Sequence, residues 1–221
     1  KRMNIFVALI ASYLIGSIPF AFLIVKIVKN IDLRTVGSGN IGATNAMRVV
    51  GFKLGLFALA MDMAKGLIPV IVLAEKVMPP AHLSSDTLRF ILGLTSVCGH
   101  NWTVFLKFKG GKGIATSFGV LIGLAMKNFV FAKIIFLLAL TWIVTFLASG
   151  FVSLASILSA VFLPIFLLIF RLNTSYMFFS IIIAIFALYR HKSNISRLLQ
   201  HKENRFDIKS KLLSLKKKAL P

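Results

Sequence analysis

Five apolar runs, each long enough to cross a lipid bilayer as a helix, constrain this chain of 221 residues more than any other feature. The hydrocarbon core of a bilayer is about 30 Å thick, and a helix needs roughly 20 apolar residues to span it. The five runs are Met3–Val25, Leu54–Ala74, Phe129–Ser149, Phe151–Phe170 and Thr174–Tyr189. The sequence therefore predicts an all-α, polytopic integral membrane protein.

Two shorter apolar segments, Thr87–Gly99 and Gly113–Met126, flank a basic stretch from Asn101 to Lys112. Irregular backbone survives at membrane depth only where it is buried in protein or lines a cavity, so short segments beside polar residues are where membrane proteins build sites. Counting both segments as helices, we expect seven transmembrane helices in a domain over residues 1–205. A basic cytoplasmic tail over residues 206–221 follows.

The charge of the chain fits the same class of protein. Lys and Arg number 26 against 6 Asp and Glu, a net charge of +20 that in a soluble protein would point to nucleic acid. With 58% hydrophobic and 14% charged residues, however, the chain is too apolar for a disordered or an ordinary soluble protein. We therefore expect no nucleic-acid partner, and attribute the charge to membrane sidedness, anionic lipid or a phosphate-bearing substrate.

Seven helices place the two termini on opposite sides of the membrane. With the carboxyl terminus in the cytoplasm, most of the basic residues, including Lys216–Lys218, fall on the cytoplasmic side. Cytoplasmic loops of membrane proteins carry such an excess of Lys and Arg. We therefore predict an external amino terminus, a cytoplasmic carboxyl terminus and a tail that lies on anionic membrane lipid.

The segment Gly37–Arg48, after the first span, is rich in glycine and small polar residues. Its glycines match G-x-G-x-x-G, but the dinucleotide-binding fingerprint requires a soluble βαβ unit, and here transmembrane spans lie on both sides. Glycines still let backbone N–H groups approach an anion, and an arginine matches the geometry of phosphate. We interpret the segment as a phosphate-binding loop; the structural alternative is a tight turn with a capped helix.

A second glycine-rich loop surrounds Lys112, with Gly110, Gly111 and Gly113 beside it. It is not a Walker A loop, because no glycine stands five positions before Gly111 and neither Ser nor Thr follows the lysine. A phosphate at the following helix start, with Lys112 as a point charge, is the interpretation we favour. An ordinary basic loop would explain Lys107 and Lys109 but not the glycines.

Asp62 and Lys65 stand three residues apart inside the second span and therefore share a helix face. Ionisable residues within a membrane are functional candidates, but a mutually neutralising structural pair is equally consistent with the sequence. Gly66 and Pro69, which follow, predict a loosened or kinked helix.

Three polar residues, His191, Asn194 and Arg197, recur at a spacing of three just past the last span. If this segment is helical, they form one stripe on a single side. No His, Cys or carboxylate pair in the sequence has the spacing of metal ligands, so we expect no metal site.

Taken together, these motifs resemble the bacterial acyl-phosphate-dependent glycerol-3-phosphate acyltransferase family. The likeness rests on Gly37–Arg48, Asp62–Gly66, Gly99–Thr116 and His191–Glu203, which occur in matching order. It implies a multi-pass enzyme of the bacterial cytoplasmic (inner) membrane, with its active site facing the cytoplasm. Such an enzyme makes lysophosphatidic acid, the first step of phospholipid synthesis. The implied donor is an acyl phosphate supplied by a soluble phosphate acyltransferase, with no cofactor.

Carried over position by position, the resemblance implies catalytic roles for His191, Asn194 and Ser153. It implies substrate or phosphate binding by Ser38, Gly39, Asn40, Thr44, Asn45, Arg48, Gly110, Gly111, Lys112 and Gly113. Glu203 matches the glutamate of the last motif, and Asp62 and Lys65 would support the site. The sequence departs from the family pattern at His201, where glycine is usual, and at Gly150-Phe151, where Arg-Tyr is usual.

An acyl phosphate is already activated, so the enzyme mainly positions a hydroxyl and stabilises charge. We therefore expect direct attack of the sn-1 hydroxyl on the acyl carbonyl, with no acyl-enzyme. Arg48, His191 and Asn194 would hold glycerol 3-phosphate, and Lys112 with the loop amides would hold the acyl phosphate. Either His191 or a substrate phosphate takes the proton.

The main alternative function is a transporter or flippase of an anionic lipid or phosphorylated solute. Its site would lie near the bilayer midplane between repeats, and we find no internal repeat. A non-catalytic membrane scaffold is a second alternative, which leaves both glycine-rich loops unexplained.

Overall fold

Apart from one isolated bridge between Met3 and Val77, every regular element in residues 3–206, which the structure describes, is helical. The structure is a computed structural model. Its α-helices are α1 (Ile5–Ser17), α2 (Phe20–Lys29), α3 (Ala43–Val50), α4 (Phe52–Ile68), α5 (Ala74–Lys76), α6 (Ser85–Asn101), α7 (Ile114–Ala125), α8 (Phe129–Ser149), α9 (Val152–Ile169), α10 (Thr174–Arg190) and α11 (Lys192–Leu199). Short 3₁₀ turns occur at Leu33–Thr35 and Val104–Leu106.

Four helical stretches in the described residues are long and apolar enough to cross a membrane. They are Ile5–Lys29, Phe52–Lys76, Phe129–Ser149 and Val152–Ile169. A fifth is reached if α10 is counted together with α11, which continues it after a bend of 59°. The two short predicted spans correspond to α6 and α7, which have 17 and 12 residues. The all-helical, multi-pass prediction is confirmed, while the number of seven spans stays a prediction.

The first predicted span, Met3–Val25, is interrupted, although its apolar run predicted one continuous helix. Pro19 separates α1 from α2, because proline has no backbone N–H for a helical hydrogen bond. The carbonyl of Ile18 at this break accepts hydrogen bonds from Phe20 N at 3.1 Å and from Lys65 Nζ at 2.8 Å. The side chain of a distant helix therefore stabilises the break.

The second span loosens where Gly66 and Pro69 predicted it. At Pro69 the α-helical backbone widens into a π-helix that runs to Leu73, before α5 resumes the α-helical pattern. Helices α4 and α7 also approach closely, because a Cβ atom at Gly66 or Gly119 would collide with backbone of the facing helix. Small residues permit this kind of packing between membrane helices.

The core of the bundle lies away from the polar loops. Phe90 stacks on Phe179 with ring centroids 5.1 Å apart, and Tyr176 packs edge-on against Phe131 at the same distance. Aromatic pairs in such offset and edge-on arrangements add to the energy of burial. They fix α6, α8 and α10 at the end of the bundle where α8 begins.

The two glycine-rich loops and the His191–Glu203 segment meet at the opposite end, beside the α8–α9 corner. The loop before α3 and the loop before α7 both reach α11, and the segment after α11 folds back onto the α8–α9 corner. There Phe206 N donates to Gly150 O at 2.9 Å, and the Arg205 guanidinium lies 5.4 Å from the Phe151 ring centroid. This end of the bundle therefore carries the candidate site.

Candidate active site

A polar pocket of about 280 Å³ opens where these segments meet. Its wall comes from the loop before α3, the loop before α7, and the junction of α10 with α11. The lining residues are Ser38, Gly39, Asn40, Gly110, Lys112, Tyr189, Arg190, Lys192, Ser193, Asn194 and Arg197. A larger hollow of about 360 Å³ lies at the other end of the bundle, but its lining, which includes Phe129, Phe136 and Phe170, is mostly apolar. The polar pocket is the one suited to a charged substrate.

A hydrogen-bond network anchored on Glu203 holds one wall of the pocket. Asn194 Nδ2 donates to Glu203 Oε1 at 2.7 Å, and Asn194 Oδ1 accepts from Lys112 Nζ at 2.5 Å. Ser153 Oγ also donates to Glu203 Oε1, at 2.9 Å, and Arg197 Nε donates to Oε2 at 2.8 Å. The carboxylate thus fixes the amide of Asn194, and the amide fixes the ammonium group of Lys112.

The charges of this network are tuned by burial and by neighbouring groups. Burial lowers the pKa of Lys112 to about 8, against the influence of Glu203, which raises it. Burial raises the pKa of Glu203, but the hydrogen bonds from Asn194, Arg197 and Ser153 outweigh it, so the net pKa lies below its usual value. Glu203 is therefore ionised, and its charge is already engaged by Arg197.

Lys112 lines the pocket and has a neutral hydrogen-bond partner, the amide of Asn194. Arg48, on α3, is exposed, and its charge is close enough to lower the pKa of Lys112 further. Within residues 3–206, no hydrogen bond or ion pair joins the Arg48 guanidinium to another residue. Lys112 therefore faces the pocket directly, whereas Arg48 is an exposed cation outside its lining.

His191 is 2% exposed and sits at the junction of α10 and α11. Its Nδ1 lies 2.8 Å from Ala187 O, and because a carbonyl can only accept, Nδ1 carries the hydrogen and Nε2 carries the lone pair. Burial, and next the positive charge of Lys112, lower the pKa of His191 to about 4. The imidazole is therefore neutral near pH 7, with Nε2 as a hydrogen-bond acceptor.

The predicted binding residues in and after the loop before α3 have two different roles. Ser38, Gly39 and Asn40 line the pocket. Asn45 does not, because its side chain faces inward: Nδ2 donates to Leu33 O, Val36 O and Asn40 O at 2.9–3.1 Å, and Oδ1 accepts from Ser38 N. The buried amide of Asn45 thus shapes the loop. Thr44 also lies outside the pocket lining, on the first turn of α3.

The glycines around Lys112 pack against the end of α6 rather than surrounding an open cradle. A Cβ atom at Gly111 would collide with the imidazole of His100, and Gly111 N donates to His100 O at 2.9 Å. Gly113 is buried against Asn101. Within this loop only Gly110 and Lys112 line the pocket. Close packing therefore accounts for Gly111 and Gly113, and the lysine is what the loop presents.

Asp62 and Lys65 lie outside the pocket, buried between α1, α4 and α6. Each is 2% exposed, and Lys65 Nζ lies 2.9 Å from Asp62 Oδ1 while it donates to Ile18 O. Ser96 Oγ donates to Lys65 O at 2.7 Å. Of the two interpretations left open, these contacts favour a structural pair that stabilises the α1–α2 break.

The departure of the sequence at His201 has a visible backbone consequence. His201 adopts a φ of 55°, the left-handed conformation that glycine tolerates best. This turn after α11 precedes Glu203, and the glycine that the resemblance led us to expect would adopt the same backbone conformation without strain.

Sequence reasoning did not single out Arg190. Its side chain lines the pocket and donates to the carbonyl groups of Gly110 and Gly111. In the sequence, Arg190 could have been recognised as a candidate because it stands between the last apolar run and His191. In the described residues no group of three or more His, Cys, Asp or Glu side chains could hold a metal ion.

Comparison with known proteins places this geometry in a family. The sequence model of the family described as glycerol-3-phosphate acyltransferase matches residues 6–201. A glycerol-3-phosphate acyltransferase of Fusobacterium nucleatum is 43% identical over 205 residues, covering 92% of this chain and 99% of that protein. One of Desulforamulus reducens is 41% identical over 195 residues, covering 88% and 92%.

Two crystal structures of PlsY (YgiH), an integral membrane glycerol 3-phosphate acyltransferase, share the fold. The glycerol 3-phosphate form superposes with a TM-score of 0.83 at 36% identity, covering 94% of this chain and 98% of that one. The lysophosphatidic acid form has a TM-score of 0.79 at 35% identity, covering 91% and 95%. The protein is an integral membrane protein, and it belongs to the glycerol-3-phosphate acyltransferase family.

Proposed function

We propose that the protein transfers an acyl group from an acyl phosphate to the sn-1 hydroxyl of glycerol 3-phosphate, giving lysophosphatidic acid and phosphate. The observation that carries the proposal is the cationic lining of the polar pocket, where Lys112 and Arg190 have neutral hydrogen-bond partners and the charge of nearby Arg48 acts on Lys112. Two phosphate groups meet in this reaction, one on each substrate. A polar pocket lined by several cations matches that requirement.

Family membership supports the acceptor and the product. The related crystal structures are named for glycerol 3-phosphate and for lysophosphatidic acid, which are the acceptor and product proposed here. The donor is argued from chemistry: an acyl phosphate is a mixed anhydride and needs no further activation by a nucleophilic side chain. A soluble phosphate acyltransferase is the class of enzyme that would supply it.

We assign the substrates to the two sides of the Lys112–Asn194 hydrogen bond. Arg48, His191 and Asn194 hold glycerol 3-phosphate, while Lys112, with Ser38 and Asn40 in the same pocket lining, holds the phosphate of the donor. Such positioning turns a bimolecular reaction into an effectively unimolecular one. Ser153 and Glu203 act through Asn194, because their hydrogen bonds stay within the network.

The hydroxyl oxygen attacks the acyl carbonyl carbon, the bond from that carbon to the phosphate oxygen breaks, and phosphate leaves. A histidine with a pKa of about 4 is a weak base near pH 7, so His191 accepts a hydrogen bond from the hydroxyl without keeping its proton. The proton goes to the departing phosphate. His191→Gln, which retains a hydrogen-bond acceptor, should then keep more activity than His191→Ala; equal losses in kcat would favour a base instead.

For topology, we propose seven crossing helices, with α6 and α7 as the two short ones. The amino terminus lies outside, and the pocket and the carboxyl terminus face the cytoplasm of a bacterial cell, at its inner membrane. The prediction that the tail over residues 206–221 lies on anionic lipid concerns residues that, apart from Phe206, fall outside the part of the chain that the structure describes. Single cysteines at Ser84 and Ser193, in a protein whose Cys98 is replaced by Ser, should react with impermeant reagents from opposite sides.

The decisive experiment combines purified protein, acyl phosphate and labelled glycerol 3-phosphate, with lysophosphatidic acid as the measured product. Product that depends on acyl phosphate and not on acyl-CoA is the expected result. If neither donor yields product, the proposal that the protein is an acyltransferase is overturned. Movement of labelled lipid or glycerol phosphate across a vesicle membrane, without new product, would support the transporter.

A further inference from the structure

We propose that Arg190 is a positioning residue that fixes the loop carrying Lys112 to the end of α10. This inference rests on the proposed function of the pocket and goes beyond it, because it assigns a role to a side chain outside the motif residues. The role is to hold the hydrogen bond between Lys112 and Asn194 in one geometry.

The Arg190 guanidinium donates two hydrogen bonds to two successive backbone carbonyl groups. Arg190 Nε donates to Gly111 O at 2.8 Å, and Nη2 donates to Gly110 O at 2.6 Å. A planar guanidinium presents donors in a fixed arrangement, whereas a lysine ammonium is a single point with flexible reach. Two bonds to adjacent peptides restrain both position and tilt of the loop.

An aromatic surface holds the guanidinium in place. Its central carbon lies 5.9 Å from the ring of Trp102, and Trp102 packs edge-on against Phe186 of α10 with centroids 5.1 Å apart. Arginine over an aromatic face is attracted by the ring. Arg190 is therefore restrained from two sides, by the tryptophan and by the carbonyls it binds.

The positions of these residues along the chain indicate which contact the Arg190 hydrogen bonds restrain. Gly110 and Gly111 immediately precede Lys112, and Asn194 follows Arg190 by about one helical turn. Lys112 and Asn194 are 82 residues apart in sequence, and their side chains meet at 2.5 Å. Arg190 joins the same two segments through two further hydrogen bonds. A shift of about 1 Å at such a junction can cost on the order of 100-fold in rate.

Because Arg190 also lines the pocket, a direct contact with a substrate phosphate has to be distinguished from positioning. Arg190→Lys keeps the positive charge and removes the fork, so it separates the two roles. If Arg190 positions the loop, Arg190→Lys should lose kcat/KM by about 100-fold, nearly as much as Arg190→Gln. The matched control is Arg171→Lys, at an exposed arginine beyond α9, which should leave kcat/KM unchanged.

Two further readouts exclude a merely structural effect. In a double-mutant cycle, Arg190→Lys should cause little further loss once Lys112 is replaced by Met, because the two residues act as a unit. In the pH profile, the alkaline limb should move to higher pH in Arg190→Lys, since a displaced Lys112 is less buried. The charged and titratable groups around Lys112 are Arg48, Arg190, His191, Arg197 and Glu203.

Trp102→Leu provides a second variant if Arg190→Lys fails to accumulate in the membrane. It removes the surface beneath the guanidinium and should shift the alkaline limb in the same direction, with a smaller loss of kcat/KM. Wild-type activity of Arg190→Lys, or losses that multiply with those of Lys112→Met, would overturn the inference. Inactive wild-type protein in the same assay would instead overturn the proposed function.

Discussion

Lys65 is buried in this bundle and Lys112 is partly buried, and the difference between them separates the scaffold from the site. Lys65 meets a carboxylate on its own helix, Asp62, and the open carbonyl of Ile18, so its charge and donors are used inside the protein. Lys112 meets the neutral amide of Asn194 and faces a polar pocket. The nearest carboxylate, Glu203, is engaged by Arg197.

This contrast shows that burial alone does not identify a functional charge in a membrane protein. A buried ion pair that is complete needs nothing from a substrate, and its members become costly only when one of them is removed. A partly buried cation whose partner is neutral can still gain from an anion. Each of the following experiments tests one side of this difference.

The largest effect is expected for Asp62→Asn. Removing the carboxylate leaves Lys65 as an uncompensated buried charge, at a cost of about 3–5 kcal/mol in the free energy of unfolding. This destabilisation is measured as loss of activity on heating in detergent, compared with the wild type. The double variant Asp62→Leu with Lys65→Met should regain much of the stability, and Asp32→Asn, at an exposed pair, is the control with little effect. A stable Asp62→Asn protein with abolished kcat would place the pair in catalysis.

Lys112→Met should have the opposite signature. Without the ammonium group, the charge that develops on phosphate loses a preorganised partner, and kcat/KM should fall by about 10²–10³-fold. The melting temperature should not fall, because the variant leaves no charge without its partner. Kinetics and thermal denaturation of the same preparation measure both quantities. A stability loss as large as that of Asp62→Asn would remove the distinction between the two lysines.

Glu203→Gln should produce a smaller loss, about tenfold in kcat/KM, because Asn194 keeps a neutral partner in place of a charged one. Since Glu203 raises the pKa of Lys112, its neutralisation should also move the alkaline limb of the pH profile to lower pH. Glu75→Gln, at the exposed Lys127 pair far from the pocket, is the matched control. An unmoved limb would show that Glu203 does not act on Lys112.

The pH dependence of the wild type gives the mildest test. Lys112 is protonated below its pKa of about 8 and neutral above it, so activity should decline as the pH rises through 8. His191, with a pKa of about 4, stays neutral across the neutral range and adds no acid limb there. The residual activity of Lys112→Arg should lack the alkaline decline, because arginine stays charged. A decline that persists in this variant would assign the limb to another group.

Local features were predictable because they depend on neighbouring residues. The apolar runs fixed the positions of α8, α9 and α10 to within one or two residues, and Pro69 marked the change to a π-helix. The spacing of Asn194 and Arg197 placed both on one side of α11, where both bind Glu203. Helical periodicity requires no knowledge of the partner helix.

Roles that depend on the partner were not predictable in the same way. Asn45 is a residue type that often binds ligands, yet its side-chain amide hydrogen-bonds to backbone carbonyl groups of its own loop. Gly111 belongs to a glycine-rich loop typical of phosphate binding, yet a glycine is needed there because the His100 imidazole leaves no room for a Cβ atom. Residue type limits what a side chain can do, and the packing around it decides which of those uses is realised.

The sequence by itself determined an all-helical membrane protein, its family and the residue types available for binding phosphate. Only the tertiary structure decided that Lys112 meets Asn194, that Ser153 meets Glu203, and that Arg190 grips the lysine loop. The physical reason is the range of the interactions. Hydrophobic runs and helix periods act over one turn to one span, whereas these contacts join residues 50 to 82 positions apart and exist only once the helices have packed.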